Sequence, residues 1–598
     1  MTGFFRASLL ILLAACLRAA PAVPLANLVD DRTTFVLSIT DAPALLRGWV
    51  ASPFAHTWDD PQVVKFFAPL REQLKIEEWD ARTKDATGST VRELLALAEG
   101  EVLVAVSAPD EAKSTGGSLS FFAALQVGDH AAKIEKLLAD AAKDEVRDET
   151  EIFAGATVHS HPLKSGPEDE AKHAAVHWAM VDGVWLIGME KERVFAAIDA
   201  LKHGGVEAAL GKNEHFLRAR ERAGDAQVMA YLNCPAIYPA LSGVIARGNG
   251  ENRRPNPFGL DMEAAFKALG LDALDAVYTA MHFDEKETRI DGGLAYTEER
   301  GLLKLLAYEA GPVARPDWIP AKWPSVSLAR YRVPAAYAGL EEFLDAVSPM
   351  LAGMVQGQIR AFNRKLGVDL KRDLVGSLGN DMVSAYALPP GLEPGVTPAW
   401  DEMDQFIAIS LNNVDAFTKA VEGLKQLAAG PAGDPLFTKR DYLGQTLYVF
   451  KTRSAAPGAK PGRGFTYAVA NQTLLIGIGS PATVENALQG MADNPGSFWK
   501  REDVQTALAG MPADAADLQF HDLKVIVASL FEMTARLQTA AAAAPQKGKS
   551  DEGKKNFVDV SAKPDDDVIA RYWGLASGYS LKTSDGLFTT VHIANPQP

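Results

Sequence analysis

Four of the chain's 11 histidines fall within one short stretch, His159 and His161 as H-x-H and His173 and His177 as H-x-x-x-H. On β-strands an even separation points both members of a pair to one side of the sheet. Adjacent antiparallel strands joined through the loop KSGPEDEAK would bring the pairs together. Three or four imidazoles at ~2.0 Å from an ion make a zinc-type shell, and a bound ion of that kind supports metal-assisted hydrolysis. The competing reading is plain: histidines on a solvated sheet face beside a loop. A later stretch of the chain carries Tyr448, Phe450, Gly462 and Thr466 at the corresponding places, so the fold itself does not require imidazole there.

Other chemistry is sparse. No G-x-S-x-G, Walker loop, H-E-x-x-H, C-x-x-C or EF-hand pattern occurs, and no general acid and base pair can be named. Gly477-Ile478-Gly479-Ser480-Pro481-Ala482 fits G-x-G-x-x-A between a strand and a helix. Ser480 as N-cap with Pro481 in the first turn explains it without a dinucleotide. Arg218, Arg220 and Arg222 fan around a helix, and Asn252-Arg253-Arg254 reads as a solvated loop. No catalytic residue and no cofactor beyond a zinc-type ion is assigned.

The elements that must position these residues come in duplicate. VDGVWLIGMEKERVFAAIDALKHG, from Val181, matches ANQTLLIGIGSPATVENALQGM, from Ala470: turn, apolar strand, Leu-Ile-Gly, amphipathic helix. Leu186, Ile187 and Gly188 fall on Leu475, Ile476 and Gly477, an offset of 289. The register continues upstream, with Gly155 on Gly444 and Pro43 on Pro334, and the final hairpins are similar. The sequence therefore reads as two homologous halves, residues 33–310 and 324–598, joined by a Pro-rich linker over 311–323 whose Trp318 and Trp323 are pinned to one half. Strands between Ile152 and Met189 follow too closely for crossover helices, which predicts antiparallel pairing. The expected class is α+β, each half a mainly antiparallel sheet with helices packed on one face. A Lys, Gly and Ser-rich stretch over 541–566 is expected to be a flexible insertion.

The 598 residues, 47% apolar and 23% charged, suffice for about four domains or two large ones. A net charge of −16 spread along the chain argues against nucleic-acid phosphate backbones and anionic lipid surfaces as partners.

The first 22 residues place Arg6 before an apolar run from Leu9 to Leu17 and then small residues, the layout of a signal peptide, so the chain is expected to be exported to the periplasm or beyond. That run is too short to span a membrane, and no other segment reaches the necessary ~20 residues. Two processing sites stay open. Ala20-Pro21-Ala22 suits simple cleavage, and Leu13-Ala14-Ala15-Cys16 resembles a lipobox, which would leave Cys16 lipidated as a membrane anchor. With only Cys16 and Cys234 present, disulfides are not expected to hold the fold, and Cys234 reads as a small apolar residue.

The opening TTFVLSITDAPALLRGWVASPFAHTWDDPQVVKFF, with Ser38-Ile39-Thr40-Asp41 and Ser52-Pro53-Phe54, resembles a family of exported bacterial envelope proteins of unknown function. The resemblance implies export and fold and supplies no catalytic residue. Two functions are then expected. The first is a non-catalytic binding or structural protein whose paired halves offer a groove or a face to another envelope component. The alternative is a metal-assisted hydrolase using the histidine cluster.

Overall fold

The computed structural model describes residues 23–74, 93, 96–107, 120–141, 149–162, 175–239, 267–393, 395–428, 437–450, 463–493, 496–543 and 556–596. The signal peptide, Cys16, His173 and the loop KSGPEDEAK lie outside them. Among the described residues no helix is long and apolar enough to cross a membrane.

The described strands are β1 Thr33–Ile39, β2 Val102–Ser107, β3 Ser120–Gln126, β4 Glu149–Phe153, β5 Ala156–Pro162, β6 Ala175–Val181, β7 Val184–Gly188, β8 Val228–Asn233, β9 Leu274–Phe283 and β10 Glu287–Tyr296. They continue as β11 Ser325–Arg330, β12 Leu378–Ala387, β13 Asp404–Leu411, β14 Phe437–Tyr442, β15 Gln445–Phe450, β16 Phe465–Ala470, β17 Thr473–Ile478, β18 Asp517–Asp522, β19 Leu575–Thr583 and β20 Gly586–Ala594. The helices used below are α1 Ala42–Ala51, α2 Pro53–Asp59, α3 Pro61–Phe66, α4 Ala68–Gln73, α5 Ala131–Ala141, α6 Lys191–His203 and α7 Glu214–Ala223. They continue as α8 Val333–Val347, α9 Pro349–Leu366, α10 Val414–Ala428, α11 Ala482–Asp493, α12 Glu502–Ala509, α13 Leu523–Ala543 and α14 Asp566–Ala570.

Two compact units emerge. The first gathers the described residues before Ala44, those from 96 to 224 and those from Val228 to Ala236; the second gathers the rest. In the first, strands lie in the order β4-β5-β6-β7-β3-β2-β1-β8, antiparallel at every step. In the second, the order is β14-β15-β16-β17-β13-β12-β11-β18-β19-β20-β10-β9, again antiparallel throughout. The class is α+β with antiparallel sheet, and the first eight strands follow one order in both units.

Local chemistry explains the repeated register. Asp182-Gly183 and Asn471-Gln472 both take positive φ at the two central turn positions, the type I′ geometry that joins right-twisted strands. Gly188 ends β7 against the helix that follows: a Cβ there would sit 3.1 Å from Val194 Cγ2, and a Cβ on Gly477 would sit at the same distance from Val484 Cγ2. Val194 and Val484 are both fully buried, so the Gly of Leu-Ile-Gly is what lets each helix close onto its sheet.

Helices cover both faces of the sheets, which corrects the expectation of one. Leu186 and Leu475 face α6 and α11, whose Val194, Ile198, Val484 and Leu488 are buried. On the opposite face, Ile134 of α5 packs near Trp185 and Met180, and Phe417 of α10 packs in one cluster with Tyr467 and Leu474. Runs such as Trp185-Leu186-Ile187 and Leu474-Leu475-Ile476 are apolar at consecutive positions. Both faces of those strands must then be shielded, whereas strict alternation would have left one wet.

The units do not follow the sequence halves. Residues 44–74 and the hairpin β9–β10 group with the second unit. Val63 and Phe66 of α3 bury in one core with Phe531, Val558, Ile569 and Trp573, and β10 pairs with β20 from Glu287↔Ala594 to Ala295↔Gly586. Trp323 and Ile319 from the Pro-rich segment join the core of Phe406, with Trp323 and Phe406 ring centroids 4.8 Å apart. Of the stretch expected to be flexible, 544–555 lies outside the described residues, while Val558 is 1% exposed in the core of Phe531 and Trp573.

Candidate functional site

The pairing register places three of the four histidines. On β5 and β6, His159 faces Trp178 and His161 faces Val176, while His177 faces Ser160. Cross-strand partners share a face and neighbours along a strand alternate, so His159 and His161 lie on the α5 side and His177 on the α6 side. His159 stacks on Trp178 at 3.9 Å between ring centroids, with the ring planes nearly parallel. His177 Nδ1 lies 2.7 Å from Ser160 Oγ. Burial, aided by the nearby Lys191 charge, pulls the His177 imidazole below its ordinary range. The strands thus keep His159 with His161 and part them from His177. No cluster of three or more potential metal ligands occurs among the described residues.

A different set of polar residues does converge, in the second unit. β9, β10, β20 and β19 lie side by side, and their alternation splits two faces. Ile290, Ala576 and Ile593 turn toward the core of Phe531 and Trp573. The other face carries a row in register: His282 opposite Arg289, Arg289 opposite His592, and His592 opposite Ser577.

His282 has a carboxylate within reach of each ring nitrogen, Asp225 at 3.0 Å from Nδ1 and Asp291 at 2.9 Å from Nε2. Arg289 Nε donates to Asp291 at 3.1 Å, and Thr590 Oγ1 donates to Asp291 at 2.7 Å. Burial pushes the Asp291 carboxyl up, but the hydrogen bonds from His282 and Thr590 and the charge of Arg289 together leave it below its ordinary value. At the end of the row Glu287 lies 3.3 Å from His592 Nδ1.

That end opens into a cavity of about 1020 Å³. Its floor is Leu575, Ser577, His592 and Ala594; α12 and the turn after it supply Thr506, Ala507 and Met511. Arg501 reaches Asp503 through two hydrogen bonds, 3.1 and 2.7 Å, which hold the Asp503 carboxyl below its ordinary range. The rim carboxylates Asp284, Glu287, Glu502 and Asp503 outnumber Lys286 and Arg501. The chemistry on offer is recognition: a lining of mixed polarity, with Leu575, Ala594, Ala507 and Met511 supplying its apolar part, under a rim with surplus negative charge. Sequence reasoning passed over this site, although Glu287, Arg289 and Asp291 at alternate positions of a strand pattern form a charged face that could have been read.

No family model matches the chain, and no curated protein matches it either. Two solved structures, crystal forms IV and III of TP0453, are 9% and 8% identical and cover 46% of this chain and 80% of their own at a TM-score of 0.23. A likeness that loose carries no argument about fold or function.

Proposed function

We propose that this chain is an exported, internally duplicated binding protein of the cell envelope, and that its cavity over β19 and β20 takes a ligand with an apolar body and a cationic group. The carrying observation is the cavity itself, with its surplus of rim carboxylates beside the apolar side chains of Leu575, Ala594, Ala507 and Met511. Asp503 is committed to Arg501 and Glu287 lies against His592, which leaves Asp284 and Glu502 as the rim acids to meet a cation. Duplication is supported by the eight strands that recur in one order, and by Ser52-Pro53 and Ser348-Pro349, each opening a helix with the Ser as N-cap. Export rests on the leader-like first residues, and Cys16 supplies an anchor if the lipobox is used. The hydrolase reading needs the histidine pairs on one face, and His177 points to the other.

The test is thermal unfolding with tri-lysine and phenethylamine, an apolar ring carrying one ammonium, as probes. Ligand at a hundredfold its Kd adds about 2.7 kcal/mol to stability, so Tm rises with concentration. Thr506→Trp, which fills the cavity from an exposed position of α12, and Glu502→Lys should each remove the rise. No rise with either probe, or equal rises in Thr506→Trp, sinks the proposal.

A further inference from the structure

Helix α9 has 18 residues and buries only Ala352. It is about 27 Å long at 1.5 Å per residue. Met350, Met354, Val355 and Phe362 stand 47%, 55%, 38% and 43% exposed along it, a density of exposed apolar side chains that marks an interaction surface. The helix contains Arg360, Arg364 and Lys365 and no Asp or Glu, within a chain whose net charge is −16. Of the three acids on the preceding α8, Glu341 pairs with Lys371 and Glu342 with Lys304, which leaves Asp345 against three cations.

The matching segment of the other half makes the contrast. After Ser52-Pro53, helices α2 and α3 seat most of their large apolar side chains against the chain itself: Phe54 packs edge-on against Trp573 at 5.2 Å, and Phe66 meets Phe531 at 5.4 Å, while Trp58 is 42% exposed. After Ser348-Pro349, α9 turns its methionines outward.

We propose that α9 lies on an anionic membrane surface, with Met350, Met354, Val355 and Phe362 entering the headgroup boundary and Arg360, Arg364 and Lys365 meeting lipid phosphates. Apolar residues on one helix with cations and no acids are the pattern of an interfacial helix. The whole-chain charge does not oppose this, because acids more than about 8 Å away are screened at physiological salt. The contact is independent of the cavity and of any acyl chain on Cys16.

The experiment is vesicle flotation with the full chain carrying Cys16→Ser, so that acylation cannot supply the binding. Vesicles are phosphatidylethanolamine with about one third phosphatidylglycerol, against phosphatidylcholine alone. The anionic vesicles should carry the protein up at low salt and lose it at high salt. Met350→Glu with Met354→Glu and Phe362→Glu should cut the bound fraction about tenfold, and Arg360→Glu with Arg364→Glu should do the same. Circular dichroism checks that both variants stay folded, and the leader is common to all samples. Wild type that stays down, or variants that float equally, overturns the proposal. So does a wild-type dimer that Met354→Glu converts to monomer, since the face would then belong to a second copy.

Discussion

Strands β5–β6 and β15–β16 occupy one place in two units and carry different side chains on the same register. His159 stacks on Trp178 at 3.9 Å, and Tyr448 stacks on Tyr467 at 4.8 Å, both nearly parallel. In the second unit the pair is roofed by α10, whose Lys425 ammonium sits 3.2 Å from the Tyr448 ring centroid, and Tyr467 is 6% exposed. Burial pushes the Tyr467 phenol far above its ordinary range, the neighbouring Tyr448 and Glu422 adding to it. The position asks for two flat rings face to face. An imidazole meets that demand as well as a phenol does, so stacking accounts for a ring at His159.

The comparison breaks most easily at its hinge residues. Leu186 and Leu475 are fully buried at matched positions, so Leu186→Ala and Leu475→Ala should each cost about 2–5 kcal/mol. If the units are separate cores, calorimetry will show each change lowering a different transition. One shared transition shifted equally by both would mean that the cores are not separate.

The stacks come next. Tyr467→Ala removes a buried ring and should cost about 3–5 kcal/mol, while Trp178→Ala, at a half-buried site, should cost less. Equal losses by chemical denaturation would contradict the difference in roofing.

Sequence reasoning reached the α+β class, the antiparallel pairing and the turns, because Leu-Ile-Gly and Asp-Gly state their geometry locally. It placed helices on one face, since periodicity along α5 or α6 does not say which side of a sheet it meets. It gathered the four histidines by proximity in sequence. The face of His177 depends on the parity of register between β5 and β6, and the loop joining them carries no signal that fixes parity. The row from His282 to Ser577 was hidden for another reason. Its members come from strands hundreds of residues apart, and only the pairing of β10 with β20 brings them together.

A smaller effect concerns pH. His521, on β18, is held below its ordinary value of 6.5 by burial, with Ser325 Oγ 2.9 Å from its Nδ1. A histidine with a depressed folded pKa leaves the unfolded chain holding more protons below pH 6.5, so stability falls as pH drops through that window. The slope is at most about 1.4 kcal/mol per pH unit per group. His521→Asn should flatten it, read from urea midpoints between pH 7 and pH 5; an unchanged slope excludes His521 as its source. The smallest effect is expected from zinc. Titration should give the same weak binding, about millimolar, before and after His159→Ala with His161→Ala. Tight binding abolished by that pair would return the metal reading.

Exchanging one stack for the other is the decisive measurement. Replacing His159, His161 and Trp178 by Tyr, Phe and Tyr, the residues their counterparts carry, should keep stability within about 1.5 kcal/mol and leave tri-lysine binding as it was. A chain that unfolds on this exchange, or that loses the ligand with it, would show that the two places are not equivalent and that the imidazoles do what a ring cannot.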